Sequence, residues 1–264
     1  MISQTWLVNC SSDLKHTKFK IKDPIKRMRI ADKNFNECSF ALQIFEEMSF
    51  VNCSFNSCNF KYTKFKNVEF HNCQFENCLF YKPTFKEVYI NPKQFKYSHK
   101  WVIKYPNVLT GHYWALYRNS KDQHQDKFSR YADVKFRFYR RYEKLFKKGK
   151  FTLKYLPNFS TDLLYDIFLG YGYGLRNALT TTMIIFGILI YSLHKMWEIM
   201  GLPEKANLIT KIYYLAVTYS TVGYGEIHPE MNNHDGMIFV ICLAGFAVVW
   251  SAVITAMITK RIVK

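Results

Sequence analysis

Acidic residues are scarce in this sequence: 20 Asp and Glu stand against 37 Lys and Arg, leaving a formal net charge of +17. Such an excess calls for an anionic partner, either nucleic acid or a lipid surface. The start, from Met1 to Asn9, lacks a basic stretch followed by an apolar run. That excludes a secretory signal and predicts that the N-terminal part stays on the side where it is made. Cysteines number seven, an odd count that argues against a disulfide framework where no export signal is present. No phosphate loop, nucleophile motif or metal-ligand spacing occurs, so enzyme function and a resident cofactor find no support.

What is present begins with a period. Phenylalanine recurs every five residues from Phe35 through Phe85, with Ile25 and Ile30 before the series and Ile90 and Phe95 after it. Period five fits neither a helix nor a strand, so it marks a repeat. Two positions before each large residue runs a second column: Cys38, Cys53, Cys58, Thr63, Val68, Cys73, Cys78 and Val88. The other three positions of each five are mostly polar. The physical reading is a narrow coil with one large residue pointing to its axis on each side and a smaller one filling in beside it. These residues resemble the pentapeptide-repeat family, which implies a right-handed quadrilateral β-helix over residues 25–95 with four pentapeptides per turn. Gln43, Met48 and Pro83 depart from the small column, and a bulge or irregular coil is expected there. Twenty residues per turn would stack Cys38, Cys58 and Cys78 on one side and Cys53 and Cys73 on another, as ordinary core thiols. Some relatives imitate DNA with an acidic surface. Residues 31–95 hold seven lysines and seven acids, which disfavours that role and favours a scaffold or docking module for an unknown partner.

Residues 1–24 then form an N-terminal cap, and residues 96–160 a basic helical linker. Residues 110–148 read as helix, with Phe128, Tyr131, Lys135, Phe138, Tyr142 and Leu145 at helical spacing. Lys135, Arg137, Arg140, Arg141, Lys144, Lys147, Lys148 and Lys150 make its end basic. Contact with anionic lipid is expected there, and no nucleic-acid reader motif accompanies the charge. Ser160-Thr161-Asp162 can cap a short helix, giving an interfacial helix over 161–174. Gly170-Tyr171-Gly172-Tyr173-Gly174 reads as an elbow into a first span.

Two stretches are apolar enough to cross a bilayer: 176–200, whose far end carries His194, Lys195 and Glu198 at the interface with Trp197 in the aromatic belt, and 236–260. Between residues 177 and 259 lie three lysines (Lys195, Lys205, Lys211) and five acids (Glu198, Glu204, Glu226, Glu230, Asp235). The basic excess therefore lies outside the spans, which places both termini in the cytoplasm of a multi-pass cell-membrane protein. A short helix at 209–220 leads directly into Thr221-Val222-Gly223-Tyr224-Gly225. Here the sequence resembles the two-transmembrane potassium-channel family. The resemblance implies a selectivity filter at 221–225, with K+ held by the carbonyls of Thr221, Val222, Gly223 and Tyr224 and the Thr221 hydroxyl. One strand cannot encircle an ion, so a homotetramer is implied.

The family usually has Asp after the filter, where this chain has Glu226. Val217 stands where some members place a carboxylate, and Tyr213 and Tyr214 where aromatics cuff the filter. Gly245 lies at the spacing of the gating hinge, with close helix packing as its alternative. Val249, Val253 and Met257, near Ile254, are candidates for an apolar constriction. No arginine-repeat span precedes the pore, which argues against voltage sensing of that type. No C-terminal nucleotide- or calcium-binding domain of the kind found in relatives follows it. Richness in Lys, Asn, Phe, Tyr and Ile points to an AT-rich, bacterial genome. The function expected is passive, selective potassium conduction over residues 161–264, regulated by the cytoplasmic solenoid. A membrane-anchored adaptor and a non-selective cation channel are the alternatives.

Overall fold

Rings repeated every five residues close into a coil when each one turns a corner. In the computed structural model, which describes residues 13–21, 23–147, 150–151, 153–198, 206–220, 222–230 and 232–262, they do. Positive φ recurs at every fifth residue from Arg27 through Glu87, always two positions after the large apolar residue of the repeat. None of these corners is glycine, so each carries a backbone cost of about 1–2 kcal/mol. Hydrogen bonding to the next coil offsets it: the Glu37 N–H donates to the Asn56 carbonyl at 2.8 Å, and the Ser57 N–H to the Glu76 carbonyl at 2.8 Å.

Short parallel strands pair at an offset of twenty: Phe35 faces Phe55 and Phe55 faces Phe75, while Phe45 faces Phe65 and Phe65 faces Phe85. This register stacks the rings of successive coils. Centroids lie 4.8 Å apart for Phe35–Phe55 and Phe55–Phe75, 5.1 Å for Phe40–Phe60 and 4.6 Å for Phe60–Phe80. Neighbouring sides meet edge to face, as Phe50 does Phe55 at 5.8 Å. The small column is satisfied as core. Cys58 and Cys78 each donate Sγ–H to a carbonyl one coil back, of Phe35 and Phe55, both at 3.2 Å. Contact with Cys58, together with burial, pushes the Cys38 thiol well above its ordinary range. Among the described residues no cluster of His, Cys, Asp and Glu could hold a metal.

The structure corrects two readings of this segment. No bulge occurs at Gln43, Met48 or Pro83, because the corners continue uninterrupted through Leu42, Glu47 and Lys82. Met48 is buried in register with Val68, and the Gln43 Oε1 accepts from the Ile21 N–H at 3.1 Å. The coil also starts before residue 25. Strand β1 (Asp13–Lys15) pairs with β2 (Asn34–Asn36), and Phe19 stacks on Phe40 at 4.5 Å. Leu14 faces Phe35 at an offset of twenty-one, so one extra residue before Ile25 hides this coil from the five-residue period.

The open end of the coil is closed by helices. Here α1 (His99–Lys104), α2 (Pro106–Asp122) and α3 (Asp126–Leu145) follow the last coil. The expected single helix is therefore a hairpin, broken at Gln123–Gln125, where His124 has φ 55. Asn119 of α2 completes the edge like a further strand. Its amide donates to the Val88 carbonyl at 2.7 Å and its Oδ1 accepts from the Val88 N–H at 3.0 Å. His112 lies flat on Phe80 at 4.4 Å and edge-on to Phe95 at 4.5 Å, extending the ring stack by one. The buried residues of α3 are Ser129, Ala132, Asp133, Tyr139, Arg141 and Leu145; of the expected stripe only Leu145 is among them, while Phe128, Tyr131, Lys135, Phe138 and Tyr142 are half-buried.

The second half of the linker differs in the same way. Arg141 does not join the basic surface but is buried. Its guanidinium lies 5.2 Å from the Phe138 ring, 5.8 Å from Tyr142 and 5.3 Å from Phe159. Helix α4 spans Leu156–Leu169, starting earlier than expected. Ser160 and Thr161 do not cap it but sit inside, donating to the Leu156 and Pro157 carbonyls. Pro157 occupies its first turn, where a missing N–H costs nothing. The chain forms two compact units, 1–163 and 164–264.

Burial holds the His112 imidazole down, at about 3, below the ordinary value near 6.5. The unfolded chain then binds a proton that the folded chain refuses as pH falls from about 6.5 toward 3. We expect solenoid stability to be full above this window and to fall by roughly 1.4 kcal/mol per pH unit within it. Denaturant melts of wild type and His112→Phe at several pH values check this, the variant losing that part of the slope.

Candidate functional site

In the second unit, α5 (Leu175–Met196) and α7 (His234–Ile262) are long and apolar enough to cross a membrane. At about 1.5 Å rise per residue, the 22 residues of α5 reach roughly 33 Å, enough for the hydrocarbon layer. Little of either helix is covered by the chain itself, 17 % and 11 % of the span window. The Trp250 Nε1–H donates to the Thr182 hydroxyl at 3.0 Å, linking the two. The Gly170–Gly174 segment is a tight turn before α5, with φ of 50 at Gly170, 55 at Tyr171 and 80 at Gly172. A Cβ on Gly174 would meet the Gly170 backbone at 3.0 Å, so this segment is an elbow built on its glycines.

Between the spans lies α6 (Leu208–Tyr219). Asn207 caps it, its Oδ1 accepting from the Thr210 N–H at 2.8 Å. Twelve residues are too few to span, and the helix ends directly at the Thr221–Gly225 segment, with its partially negative C-terminus on that side. Thr221 lies outside the described residues. Over the other four, handedness alternates: φ is positive at Gly223 (56) and Gly225 (82), but not at Val222 or Tyr224. A left-handed backbone at every second residue turns successive carbonyls toward one side, and glycine adopts it without a Cβ clash. The Val222 and Tyr224 side chains stand 54 % and 70 % exposed in the single chain.

The supporting residues come together around this strand. The Tyr213 hydroxyl donates to the Glu226 carboxylate. That bond holds Glu226 below the ordinary carboxylate range and raises the Tyr213 phenol. Val217, Tyr213, Tyr214, Gly223, Gly225 and Glu226 all line one cavity of about 410 Å³. Tyr214 is buried and meets Trp197 edge-on at 5.8 Å. Trp197 is therefore core and not part of an aromatic belt, packed with Leu193, Leu215 and Leu243.

The candidate hinge and constriction residues are only partly brought together. Helix α7 runs without a break through Gly245, and no atom lies within 4 Å of where its Cβ would be. Close packing inside the chain therefore does not explain this glycine. Val249 is 65 % exposed, Val253 and Ile254 are half-buried, and Met257 is 9 % exposed. Steps of four residues drift by about 40° each on a 3.6-residue helix, so Met257 has turned away from the face that Val249 presents.

Sequence reasoning missed Lys211. This lysine of α6 is buried, its Nζ 3.1 Å from His194 Nδ1 and 5.3 Å from the Trp197 ring centre. The available signal was the i,i+3 placement of His194 and Trp197 on one helix face.

The Thr182–Trp250 bond joins the spans at a depth where water is scarce. A double-mutant cycle with Thr182→Val and Trp250→Phe should give a coupling of roughly 0.6 to 1.7 kcal/mol. Reversible unfolding in detergent measures it, and additive single effects would show the bond to be idle.

Comparison with known families agrees with these two halves. Residues 178–264 match the family model described as Ion channel. Residues 34–72 and 45–80 match the model described as Pentapeptide repeats (8 copies). No curated protein matches the chain. The chain is therefore a membrane protein in which an ion-channel domain, of the family matched over residues 178–264, is joined to an N-terminal pentapeptide-repeat solenoid.

Proposed function

We propose that four copies of this chain form a potassium-selective pore that conducts passively. The observation that carries this reading is the alternating backbone at Val222–Gly225, between two span-length helices and directly after α6. In this reading the carbonyls of Thr221, Val222, Gly223 and Tyr224, with the Thr221 hydroxyl, replace the water shell of a dehydrated K+. Irregular backbone at that depth is tolerable only inside protein along a water-filled path. The exposed Val222 and Tyr224 side chains then find cover in neighbouring copies. Tyr213 and Glu226 brace the filter, Val217 lines the cavity behind it, and the face of α7 bearing Val249 lines the inner pathway. Gly245 is the proposed hinge.

By the positive-inside rule both termini lie in the cytoplasm of a cell membrane, where the solenoid acts on the pore. The structural support is Arg141, which ties α3 to the first turns of α4. Its Nη1 is 3.5 Å from the Asp162 carbonyl oxygen, and the Lys144 ammonium is 3.4 Å from the Asp162 carboxylate. Helix α4 then continues in sequence toward the first span. Exposed Lys127 and Arg140 are the proposed contacts for anionic headgroups.

Liposome recordings in mixed potassium and sodium test selectivity. The reversal potential should follow the potassium gradient, and Gly223→Asp should abolish current while leaving tetramers on size exclusion. A reversal potential that ignores which cation carries the gradient would point to the non-selective reading. Absent current in wild type would point to the adaptor. Arg141→Gln should change open probability without changing selectivity, and an unaltered open probability would remove the proposed route from the solenoid.

A further inference from the structure

A groove of about 570 Å³ lies at the junction of the last coil with its helical cap, within the first unit. One wall is the Tyr81–Phe85 side of the coil. The other is a single face of α2 carrying Asn107, Gly111, Ala115, Arg118 and Asp122, with Trp114 beside it and Glu143 contributed by α3. Four charged groups open onto it: Lys82, Arg118, Asp122 and Glu143. None of the four forms an ion pair among the described residues, although two are cations and two are acids. Trp114 lies tilted against Phe136 at 5.0 Å, yet remains 43 % exposed. Phe85 is the least covered ring of the aromatic series and also lines the groove. Gly111 sits within α2 with nothing within 4 Å of its Cβ position. A helix-interior glycine is unfavourable relative to alanine, and packing does not require it here.

These features select among ligand classes. An apolar ligand would strip water from four charges and pair none of them. A bare inorganic anion would sit among two carboxylates and leave the aromatic walls uncovered. Two carboxylates are too few for a cation site, and no metal-competent cluster exists among the described residues. A planar ring bearing both an anionic group and hydrogen-bond donors uses every wall. Its ring stacks on Trp114, its anion meets Arg118 and Lys82, and its amino or hydroxyl groups meet Asp122 and Glu143. The volume lies within the usual range of about 300–1,000 Å³ for small-molecule sites.

We propose that this groove binds a mononucleotide-class ligand, a heteroaromatic base carrying phosphate, as an effector of the channel. The effector part rests on the regulatory reading above. Lys82, Arg118 and Glu143 belong to three different elements, so a ligand touching all three fixes the cap against the coil. Glu143 lies two residues from Arg141, the residue that holds the start of α4. Occupancy of the groove is thereby read at the same end of α3 that leads to the membrane.

Calorimetry on the purified full-length channel in detergent tests the site independently of conduction. The probes are AMP, GMP, CMP and UMP, with adenosine and inorganic phosphate as fragments. At least one nucleotide should bind, and its nucleoside and phosphate should each bind at least about tenfold more weakly. Arg118→Gln and Gly111→Leu, the first altering an exposed charge and the second filling the groove, should each weaken binding about tenfold or more. Their melting temperatures show whether either has unfolded the cap, and Trp114→Ala serves as a third variant if so. The site is refuted if no nucleotide binds, if phosphate alone binds as tightly, or if all folded variants bind like wild type. Liposome flux with and without the bound nucleotide then tests the effector role. A change in wild type that Arg118→Gln abolishes supports it, and binding with unchanged flux overturns the regulation while leaving the site.

Discussion

Ring on ring at an offset of twenty residues is the contact on which the N-terminal half depends. Each stacked pair adds about 0.5–1.5 kcal/mol beyond the area it buries, and the same register sets the strand pairing, the corner hydrogen bonds and the thiol column. Such a coil has no means of ending itself, because its last turn offers the rings and strand edge that the next turn would cover. An uncovered edge invites pairing with another chain. The helical hairpin answers both needs at once: His112 supplies the missing ring over Phe80, and Asn119 supplies the missing strand to Val88. The cap is thus chemically a coil made from helices, which fixes how α2 and α3 must approach the solenoid.

In the channel domain the dependence runs the other way. Its helices have a small core of their own around Trp197 and Tyr214, and most of α5 and α7 is left bare by the chain. Lipid can cover apolar helix surface, but it cannot satisfy irregular polar backbone. In the proposed pore, the Val222–Gly225 segment is the element that draws further copies of the chain around it.

Period five was visible in the sequence because the coil writes the same demand on every side, and the spans because twenty apolar residues serve one purpose. Features that broke the period were misread in both directions. Gln43, Met48 and Pro83 suggested irregularity, but the corners at Leu42, Glu47 and Lys82 keep the register whichever residue stands beside the rings. The insertion before Ile25 removed Leu14 and Phe19 from the period although both remain in the stack. The hairpin break at His124 left no glycine or proline to mark it. Ser160 and Thr161 look like caps in isolation, and only the early start at Leu156 places them inside the helix. At Val222–Gly225 the alternating backbone was legible because glycine stands at every second position. The Lys211–His194 pair was not, since it depends on how α6 meets the end of α5.

Arg141 shows why charge counting alone misjudges a linker. Removing a guanidinium from water costs several kcal/mol, so its burial needs more than one compensating contact. Three ring faces, each worth up to about 2 kcal/mol when desolvated, and the Asp162 carbonyl together can offset that cost. The residues supplying them come from both α3 and the start of α4. If the two helices part, the charge loses Phe159 and Asp162 together and must return to water. A contact of this kind favours two discrete arrangements over a graded one, because half of the cage leaves the cation neither solvated nor paired. Arg141 thus helps set the position of α4 relative to α3, beside the Lys144–Asp162 ion pair and the Tyr142–Phe159 ring contact, and an influence that shifts the end of α3 acts on all three.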